Sequence, residues 1–374
     1  MSVQIVEAIS KSQRKSFVKF VFELYKDDKN WIPPIISDEI KMTDPKQNPA
    51  FDFCDAKFWL AYNNGKISGR ISAIINKEYN KLKGIQYGRI ARAEFYDNEE
   101  VADSLFNVAE NWLKEKGMAN VHGPLGFTNL DLQGLLIEGF EHLPSIASVY
   151  HKPYYLKHYE RLGYQKENDW VEFRLKMAEA VPEKAQRLAD MIKQRYKLKV
   201  NHFASTKEMS PWVPKIFGLL NLAFADLPYV APFNEKLIQY YSKKYFKVLN
   251  PKFVKVITTE TGGIAGFIVG LPSLSEAMQK ANGRLFPFGF RHLLKAMKNP
   301  EVMDLMLTGV DPPLQGQGVP ALLINELQTV ILQHKIKYVE TTGIFETNNK
   351  AIVTWKNYEH IQHKRRRCFY KELA

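Results

Sequence analysis

The feature that most constrains the fold of this sequence is an internal repeat that spans the chain. Residues 58 to 75 form two β-prone runs joined by Asn63-Asn64-Gly65, and residues 255 to 272 form two such runs around Gly262-Gly263. Both patterns are typical of β-hairpins. Aligning GKISG in the first with GGIAG in the second gives an offset of 264 − 67 = 197 residues. The chain is therefore predicted to contain two copies of one structural unit.

Each copy continues after its hairpin in the same order. A strand-like run, QYGRIARAEF or MDLMLTGV, precedes an amphipathic helix that begins near Val101 or Val319. A further β run follows, then a segment that ends near Tyr159 in the first copy and near Trp355 in the second. The pattern predicts an α/β fold with mixed sheets, in which a β-β-β-α-β-α-β unit occurs twice. We place the boundary within KMAEAVPEKA, so that residues 1–180 and 181–374 form the two domains.

Composition narrows the class of protein. The 374 residues are 45% apolar, which is enough to fill cores, and no run approaches the roughly 20 apolar residues of a spanning helix. Because MSVQIVEAISKSQRKSF lacks the apolar core of a signal peptide, we expect a cytoplasmic protein. Cys54 and Cys368 have no metal-ligand spacing, so no metal is expected. The net charge of +12 would suit nucleic acid, but without a nucleic-acid motif we expect no such partner.

A glycine-containing loop, DPPLQGQGVPALL, connects a predicted strand to a predicted helix at residues 311 to 323. Glycines at a helix N-terminus expose backbone N–H groups at the positive end of the helix dipole, where phosphate binds. The segment lacks the lysine and Ser/Thr of a P-loop and the third glycine of a dinucleotide fingerprint. Taken alone, the loop fits either an anion site or an ordinary tight turn.

The surroundings of this loop resemble the acyl-CoA-binding core of the GNAT superfamily of N-acyltransferases. That superfamily has a Gln/Arg-x-x-Gly-x-Gly/Ala loop, matched here by Gln315 and Gly318, with Pro320 departing at the last position. Its later N-x-x-A-x-x-x-Y element is matched by Asn348 and Ala351, with Trp355 in place of the tyrosine. The first copy resembles a GNAT domain at YERLGY, but its acidic, glycine-free ARAEFYDNEEV predicts that it has lost cofactor binding.

The resemblance implies an acyl-CoA or acetyl-CoA cosubstrate and assigns roles to particular residues. Met306 to Val310 would contact the pantetheine arm through their backbone, and Asn348 would contact the cofactor or cap a helix. The loop would hold the phosphates. The residues predicted to bind the cofactor are Leu307, Thr308, Gly309, Val310, Gln315, Gly316, Gln317, Gly318, Val319 and Asn348.

Acyl transfer to an amine needs a neutral amine, a polarised carbonyl and a proton for the leaving thiolate. We expect Glu346, at the end of the strand beside the cofactor cleft, to act as the base, with a solvated or capping glutamate as the alternative. Trp355 cannot donate a proton in the way that tyrosine does. Tyr358 is the candidate replacement, with a packing role as its alternative.

The whole chain resembles bacterial double-GNAT proteins, a group that includes ceramide synthase-like enzymes. The stretches that carry this resemblance are WIPP, GRISAIIN, GP-x-x-F-T-N at 123 to 129, GLLIEGF and the loop of the second copy. It implies transfer of a fatty acyl group to a lipid or long-chain amine. The alternatives are a small-molecule N-acetyltransferase and a non-catalytic CoA-binding protein.

An inserted segment of the second copy bears on the acceptor. RLFPFGFRHLLKAMK, residues 284–298, interleaves phenylalanine and leucine with arginine and lysine. This composition is typical of a helix that contacts an anionic membrane surface, here the inner face of the membrane. The alternative is an insertion packed against its own domain.

Overall fold

A computed structural model of the chain describes residues 3–245, 248–355 and 358–373, with one large mixed sheet at its centre. The first seven strands are β1 Gln4–Glu7, β2 Cys54–Asn63, β3 Lys66–Asn76, β4 Tyr87–Phe95, β5 Asn120–Gly123, β6 Leu135–Glu138 and β7 Gln165–Lys176. The others are β8 Lys199–Asn201, β9 Val254–Thr258, β10 Ile264–Pro272, β11 Val302–Val310, β12 Tyr338–Thr341, β13 Ile344–Phe345 and β14 Glu359–Glu372.

The helices pack on both faces of this sheet. In the first half they are α1 Lys11–Leu24, α2 Ile36–Met42, α3 Lys77–Lys83, α4 Glu99–Glu115 and α5 Tyr155–Arg161. In the second half they are α6 Glu183–Arg195, α7 Thr206–Met209, α8 Val213–Ala223, α9 Glu235–Tyr245, α10 Ser275–Ala281, α11 Gly289–Lys298, α12 Val319–Gln333 and α13 Asn349–Trp355.

The predicted fold class and the two-copy order of elements are confirmed. The hairpin β2–β3 turns at Asn64 and Gly65, both of which have positive φ, and β9–β10 forms the matching hairpin in the second half. The long helices α4 and α12 follow β4 and β11 as the apolar periodicity predicts. Each buries one stripe of side chains on the sheet, with Leu105 and Leu323 both completely buried.

The two halves exchange their last strands. The strand order β5-β14-β7-β12 places β14, from the second half, between β5 and β7 of the first. Strand β7, from the first half, lies between β14 and β12 of the second. The pairing of β7 with β14 is antiparallel and runs from Glu359 opposite Lys176 to Tyr370 opposite Gln165. Each half thus completes its sheet with a strand of the other, and the division at about residue 180 stays a prediction.

Charged side chains are buried where β7 and β14 run side by side. Glu172 on β7 forms an ion pair with Arg366 on β14, with 2.7 Å between Oε1 and Nε, and accepts a hydrogen bond from the hydroxyl of Ser148 at 2.7 Å. Both members of the pair are almost fully buried. Removing one partner of such a pair typically costs about 3–5 kcal/mol, because the other charge remains buried without compensation. The dense basic cluster near the C-terminus is therefore partly structural.

The inserted segment of the second half packs against the first half at only one of its two helices. Helix α10 is fixed by Ser275, whose hydroxyl donates to the carbonyl of Pro144 at 2.7 Å, and by Gln279, which donates to the carbonyls of Lys29 and Trp31. Helix α11 has no buried residue. The segment is therefore anchored at its first helix and exposed at its second.

We expect the two halves to stay together after the chain is cut between them. Residues 178–180 are exposed and lie outside any helix or strand, so a protease site inserted there leaves both exchanged strands in place. The cut protein should elute as one species with both fragments on size-exclusion chromatography, and should separate only in denaturant. Separation of folded fragments in buffer would contradict the exchange.

Candidate functional site

Strands β11 and β12 diverge partway along their length. They pair in parallel from Val302 opposite Tyr338 to Leu305 opposite Thr341, and no strand pairing between them continues past Leu305 in the described part of the chain. An extra residue, Met306, forms a bulge at this point in the pairing with β10. A bulge bends a strand and re-aims its side chains. The edge of β11 from Met306 to Val310 is thereby opened on the side that faces away from β10.

The glycine loop follows β11 directly and leads into α12. Gly316 and Gly318 have φ of +78° and +82°, a region that side chains rarely adopt. A Cβ at Gly318 would lie 2.6 Å from Cδ1 of Ile192 on α6, whereas nothing lies within 4 Å of a Cβ at Gly316. The side-chain oxygen of Gln317 accepts a hydrogen bond from the hydroxyl of Tyr196, which ties the loop to the end of α6.

The loop presents three unsatisfied backbone donors. The amides of Gly316, Gly318 and Val319 donate to no group in the described residues, whereas that of Gln317 donates to the carbonyl of Leu314 at 3.2 Å. Pro320, at the second position of α12, has no N–H. Three free amides at the positive end of a 15-residue helix make a site for a phosphate-sized anion. The departure at Pro320 therefore removes one donor and leaves three.

A cavity of about 570 Å³ opens beside the diverging strands. Leu307, Thr308 and Asn348, three of the predicted cofactor residues, line it. Gly309, Val310 and the loop residues Gln315 to Val319 are not among the described lining residues. The loop follows β11 in the chain and leads into α12, and its role as the phosphate site stays a prediction.

Both halves of the chain wall this cavity. The second half contributes apolar side chains of α8, including Val213, Ile216 and Phe217, and the first half contributes α2 and the loop between β5 and β6. Charged groups from the first half also reach it, among them the ion pair of Glu39 with Arg92, 3.1 Å between Oε2 and Nη2. The arrangement can hold a long apolar group and a polar head in the same space.

Glu346, the predicted base, lies in a cluster of charges instead of at the cavity. Its carboxylate accepts from Arg365 at 2.9 Å and forms an ion pair with Lys166, and both cations also pair with Asp169. Glu346 is not among the described residues that line the cavity. Its carboxylate is occupied by structural partners, which favours the solvated-glutamate alternative, and its catalytic role stays an untested prediction.

Trp355 is the last residue of α13, and Tyr358 lies three residues beyond it. Tyr358 lines a small apolar pocket of about 20 Å³, and burial raises the pKa of its hydroxyl, so the geometry favours its packing alternative. Trp355 lines both this pocket and the large cavity. Its indole N–H is buried and has no hydrogen-bond partner among the described residues.

Asn348 lines the cavity and also accepts from the amide of Ala351 at 3.2 Å, which is a capping interaction.

Two acidic residues near the cavity were not predicted from the sequence. Asp131 lines the cavity and lies two residues beyond the GP-x-x-F-T-N motif, which ends at Asn129. Asp304 is completely buried on β11, and burial together with the charge of Glu340 raises its pKa well above the usual value. Asp304 could have been predicted as a buried acid, because it is the one charged residue in the apolar run VMDLMLTGV.

In the first half, the end of β4 is equivalent to the predicted pantetheine edge of β11. Side chains of the first half bind its backbone groups. The amide of Phe95, at the end of β4, donates to the hydroxyl of Tyr155 at 3.0 Å. The carbonyl of Phe95 accepts from the hydroxyl of Tyr154 at 2.5 Å. Asp97, Glu99 and Glu100 follow at the start of α4. The backbone groups of Phe95 are therefore already hydrogen-bonded, and the acidic side chains at the start of α4 disfavour a pyrophosphate.

Solved structures with the same fold cover the full length of this chain. A tandem GNAT protein from the clavulanic acid biosynthesis pathway superposes with a TM-score of 0.57 at 11% identity, over 100% of this chain and 99% of that one. A GCN5-related N-acetyltransferase from Sphaerobacter thermophilus superposes with a TM-score of 0.53 at 12% identity, over 99% and 96%. These likenesses concern the fold, which is a two-copy GNAT fold.

Sequence relatives identify the family. Protein YghO of Escherichia coli is 30% identical over 373 residues, covering 98% of this chain and 94% of that protein. The bacterial ceramide synthase of Caulobacter vibrioides is 27% identical over 386 residues, covering 99% and 98%. No family model matches the chain. The chain belongs to the family of protein YghO, and it has the GNAT fold of the solved structures above.

Within residues 3–245, 248–355 and 358–373, no group of three or more His, Cys, Asp or Glu side chains is placed to hold a metal ion. No helix in the same residues has the length and apolar character needed to cross a membrane.

We predict that a negative charge in the loop weakens CoA binding, with Gly316 as the position to change. Asn and Asp both tolerate positive φ, and the space at Gly316 is open, so Gly316→Asn is a matched neutral control for Gly316→Asp. A carboxylate within a few ångströms of a pyrophosphate should cost about 1–2 kcal/mol, roughly five- to thirtyfold in Kd. Calorimetric titration with CoA measures both variants. Equal affinities in two folded variants would contradict the loop assignment.

Proposed function

We propose that this chain is an acyl-CoA-dependent N-acyltransferase that transfers a fatty acyl group to a lipid or long-chain amine. The observation that carries the proposal is the cavity of about 570 Å³ at the diverging strands, next to a loop with three free amides. Its wall includes Met209, Val213, Ile216, Phe217 and Phe224, which suit an aliphatic chain. Acetyl transfer to a small polar amine needs no apolar wall of this size.

In this proposal, the second half holds the thioester substrate. The amides of Gly316, Gly318 and Val319 bind the pyrophosphate, and the open edge of β11 receives the pantetheine arm. The ring of Trp355 lines the cavity, but its indole N–H is buried, so it does not reach a bound thioester without a movement of the ring. Tryptophan therefore does not deliver the proton that the usual tyrosine supplies.

A direct attack by the amine is favoured over a covalent acyl-cysteine. Burial raises the pKa of the Cys54 thiol to about 12, and burial also raises that of Cys368 well above its usual value. Both thiols therefore stay protonated at neutral pH, and the thiolate is the nucleophilic form of cysteine. The amine nitrogen forms its bond to the acyl carbon while the carbon–sulfur bond of the thioester breaks.

The exposed segment 284–298, which includes helix α11, supports contact with an anionic membrane surface. Phe286, Phe288 and Leu294 are 78%, 62% and 54% exposed. Four cations lie among them, Arg284, Arg291, Lys295 and Lys298, and none forms an ion pair with a residue that the structure describes. Each cation contributes about 1 kcal/mol of attraction near an anionic surface. The preceding helix α10 supplies Met278 to the cavity wall, so a docked α11 would place the cavity beside the lipid.

We expect transfer activity to increase with acyl length. Palmitoyl-CoA and acetyl-CoA are each offered with hexadecylamine and with glucosamine, and amide products are measured by mass spectrometry. Apolar burial of about 0.8 kcal/mol per CH₂ predicts at least a hundredfold higher kcat/KM for palmitoyl-CoA. A preference for acetyl-CoA with glucosamine would favour the small-molecule alternative. Binding of CoA without any amide would favour a non-catalytic CoA-binding protein.

We also expect the paired change Phe286→Ser and Phe288→Ser to abolish vesicle binding. In a flotation assay with vesicles containing 30% phosphatidylserine, the unchanged protein should float with the vesicles. The bound fraction of the variant should be at least tenfold lower, because two exposed rings no longer enter the interface. Leu82→Ser, at an exposed leucine of α3, is the matched control and should bind normally. Equal binding of all three proteins, or equal binding to neutral vesicles, would contradict membrane docking through α11.

A further inference from the structure

The cavity contains a carboxylate that the first half holds in a fixed position. Asp131 lies in the loop between β5 and β6 and lines the cavity. Its Oδ2 accepts from the amide of Thr128 at 3.0 Å, and its Oδ1 lies 3.4 Å from the hydroxyl of Tyr241 on α9. Unlike Glu346, Asp131 forms no ion pair with a lysine, arginine or histidine among the described residues, and it lines the cavity.

The loop that carries Asp131 is itself rigidly held. The hydroxyls of Thr128 and Tyr241 lie 2.6 Å apart, and the side chain of Asn76 donates to the carbonyl of Phe127 at 3.0 Å. A Cβ at Gly126 would lie 2.4 Å from that of Asp131, so the close approach requires glycine. Such support from both halves is what a positioned reactive group needs.

Asp131 is connected through packing to the open edge of β11. Phe127 and Tyr241 belong to one apolar cluster, and Met306 and Leu307 pack against that same cluster. Val269, another member, pairs directly with Leu307 across β10 and β11. The carboxylate of the first half and the predicted pantetheine edge of the second are therefore two sides of one cavity.

Resting on the proposed function, we propose that Asp131 is the base that accepts a proton from the acceptor's ammonium group. An amine with an ordinary pKa near 10 arrives as R–NH₃⁺, which a carboxylate attracts and which cannot attack a thioester. Asp131 takes one proton, and the neutral nitrogen then bonds to the acyl carbon. The carbon–sulfur bond breaks, and the thiolate takes up the second proton that the nitrogen releases. The proton on Asp131 returns to solvent.

Both positive and negative side chains lie around Asp131. Glu39 and Arg92 form an ion pair. Burial opposes ionisation of Glu39, but the Arg92 guanidinium outweighs it and holds the pKa of Glu39 below its usual value. Burial opposes the charge on Lys244, but Tyr245, Asp131 and Glu39 raise its pKa to about 12. The groups that interact with Asp131 from the neighbouring elements are Cys54, Arg89, Arg92, Tyr240, Tyr241, Lys244 and Tyr245.

The test compares Asp131→Asn with Asp27→Asn in the full chain, using palmitoyl-CoA and hexadecylamine between pH 6.5 and pH 10. Asp27 is exposed and is not among the described residues that line the cavity, so it is a control for the loss of one carboxylate elsewhere. We expect Asp131→Asn to lose at least a hundredfold in kcat/KM at pH 7 with unchanged affinity for CoA. Near pH 10 the deficit should shrink at least tenfold, because about half of an amine with a pKa near 10 is then neutral in solution. Asp27→Asn should stay within threefold of the unchanged protein.

Three outcomes overturn the inference. If Asp131→Asn stays within threefold at pH 7, or loses the same factor at every pH, Asp131 is not the base. If the unchanged protein makes no amide, the proposed function fails and this inference fails with it. Tyr241→Phe gives an independent answer if Asp131→Asn does not fold: it removes a contact to Asp131 and should lose about tenfold with the same recovery at high pH. No loss, or a loss constant with pH, would again overturn it.

Discussion

The pairing of β7 with β14 is the interaction on which the rest of the structure depends. These antiparallel strands run side by side from Glu359 opposite Lys176 to Tyr370 opposite Gln165, and each has its other neighbour in the opposite half. A strand left at an edge has unpaired N–H and C=O groups, and the exchange satisfies them within the chain. Because neither half completes its sheet alone, the two copies form a single continuous core, and the cavity between them has walls from both.

This arrangement lets the two copies take different roles. The second half keeps the opened edge of β11 and a loop with three free amides. The first half closes the matching edge with Tyr154 and Tyr155, which occupy the backbone groups of Phe95. The first half also contributes Glu39, Arg92 and Asp131 to the shared cavity. In the proposed reaction, one copy binds the donor and the other prepares the acceptor.

Local signals explain which features could be predicted from the sequence. The turn at Asn64-Gly65 and the glycines at 316 and 318 require positive φ, a property of the residues themselves, and the stripes of α4 and α12 follow from periodicity. The strand exchange could not be predicted in this way, because Phe369 opposite Gly123 is a pairing between residues far apart in sequence. The same limit applies to Glu346 and Asp131. Glu346 has the expected position in the sequence, but Lys166 and Arg365 pair with its carboxylate. Asp131 lines the cavity together with Tyr241, which is far from it in sequence.

The central claim is that one cosubstrate site exists, at the start of α12, while its counterpart at α4 is closed. Hydrogen–deuterium exchange with and without a thioether analogue of palmitoyl-CoA tests it directly, because the amides of Gly316, Gly318 and Val319 have no partner among the described residues. We predict that the analogue slows exchange in peptides covering 306–319 and leaves peptides covering 95–101 unchanged. Slowed exchange at 95–101, or no change at 306–319 under saturating analogue, would contradict the account.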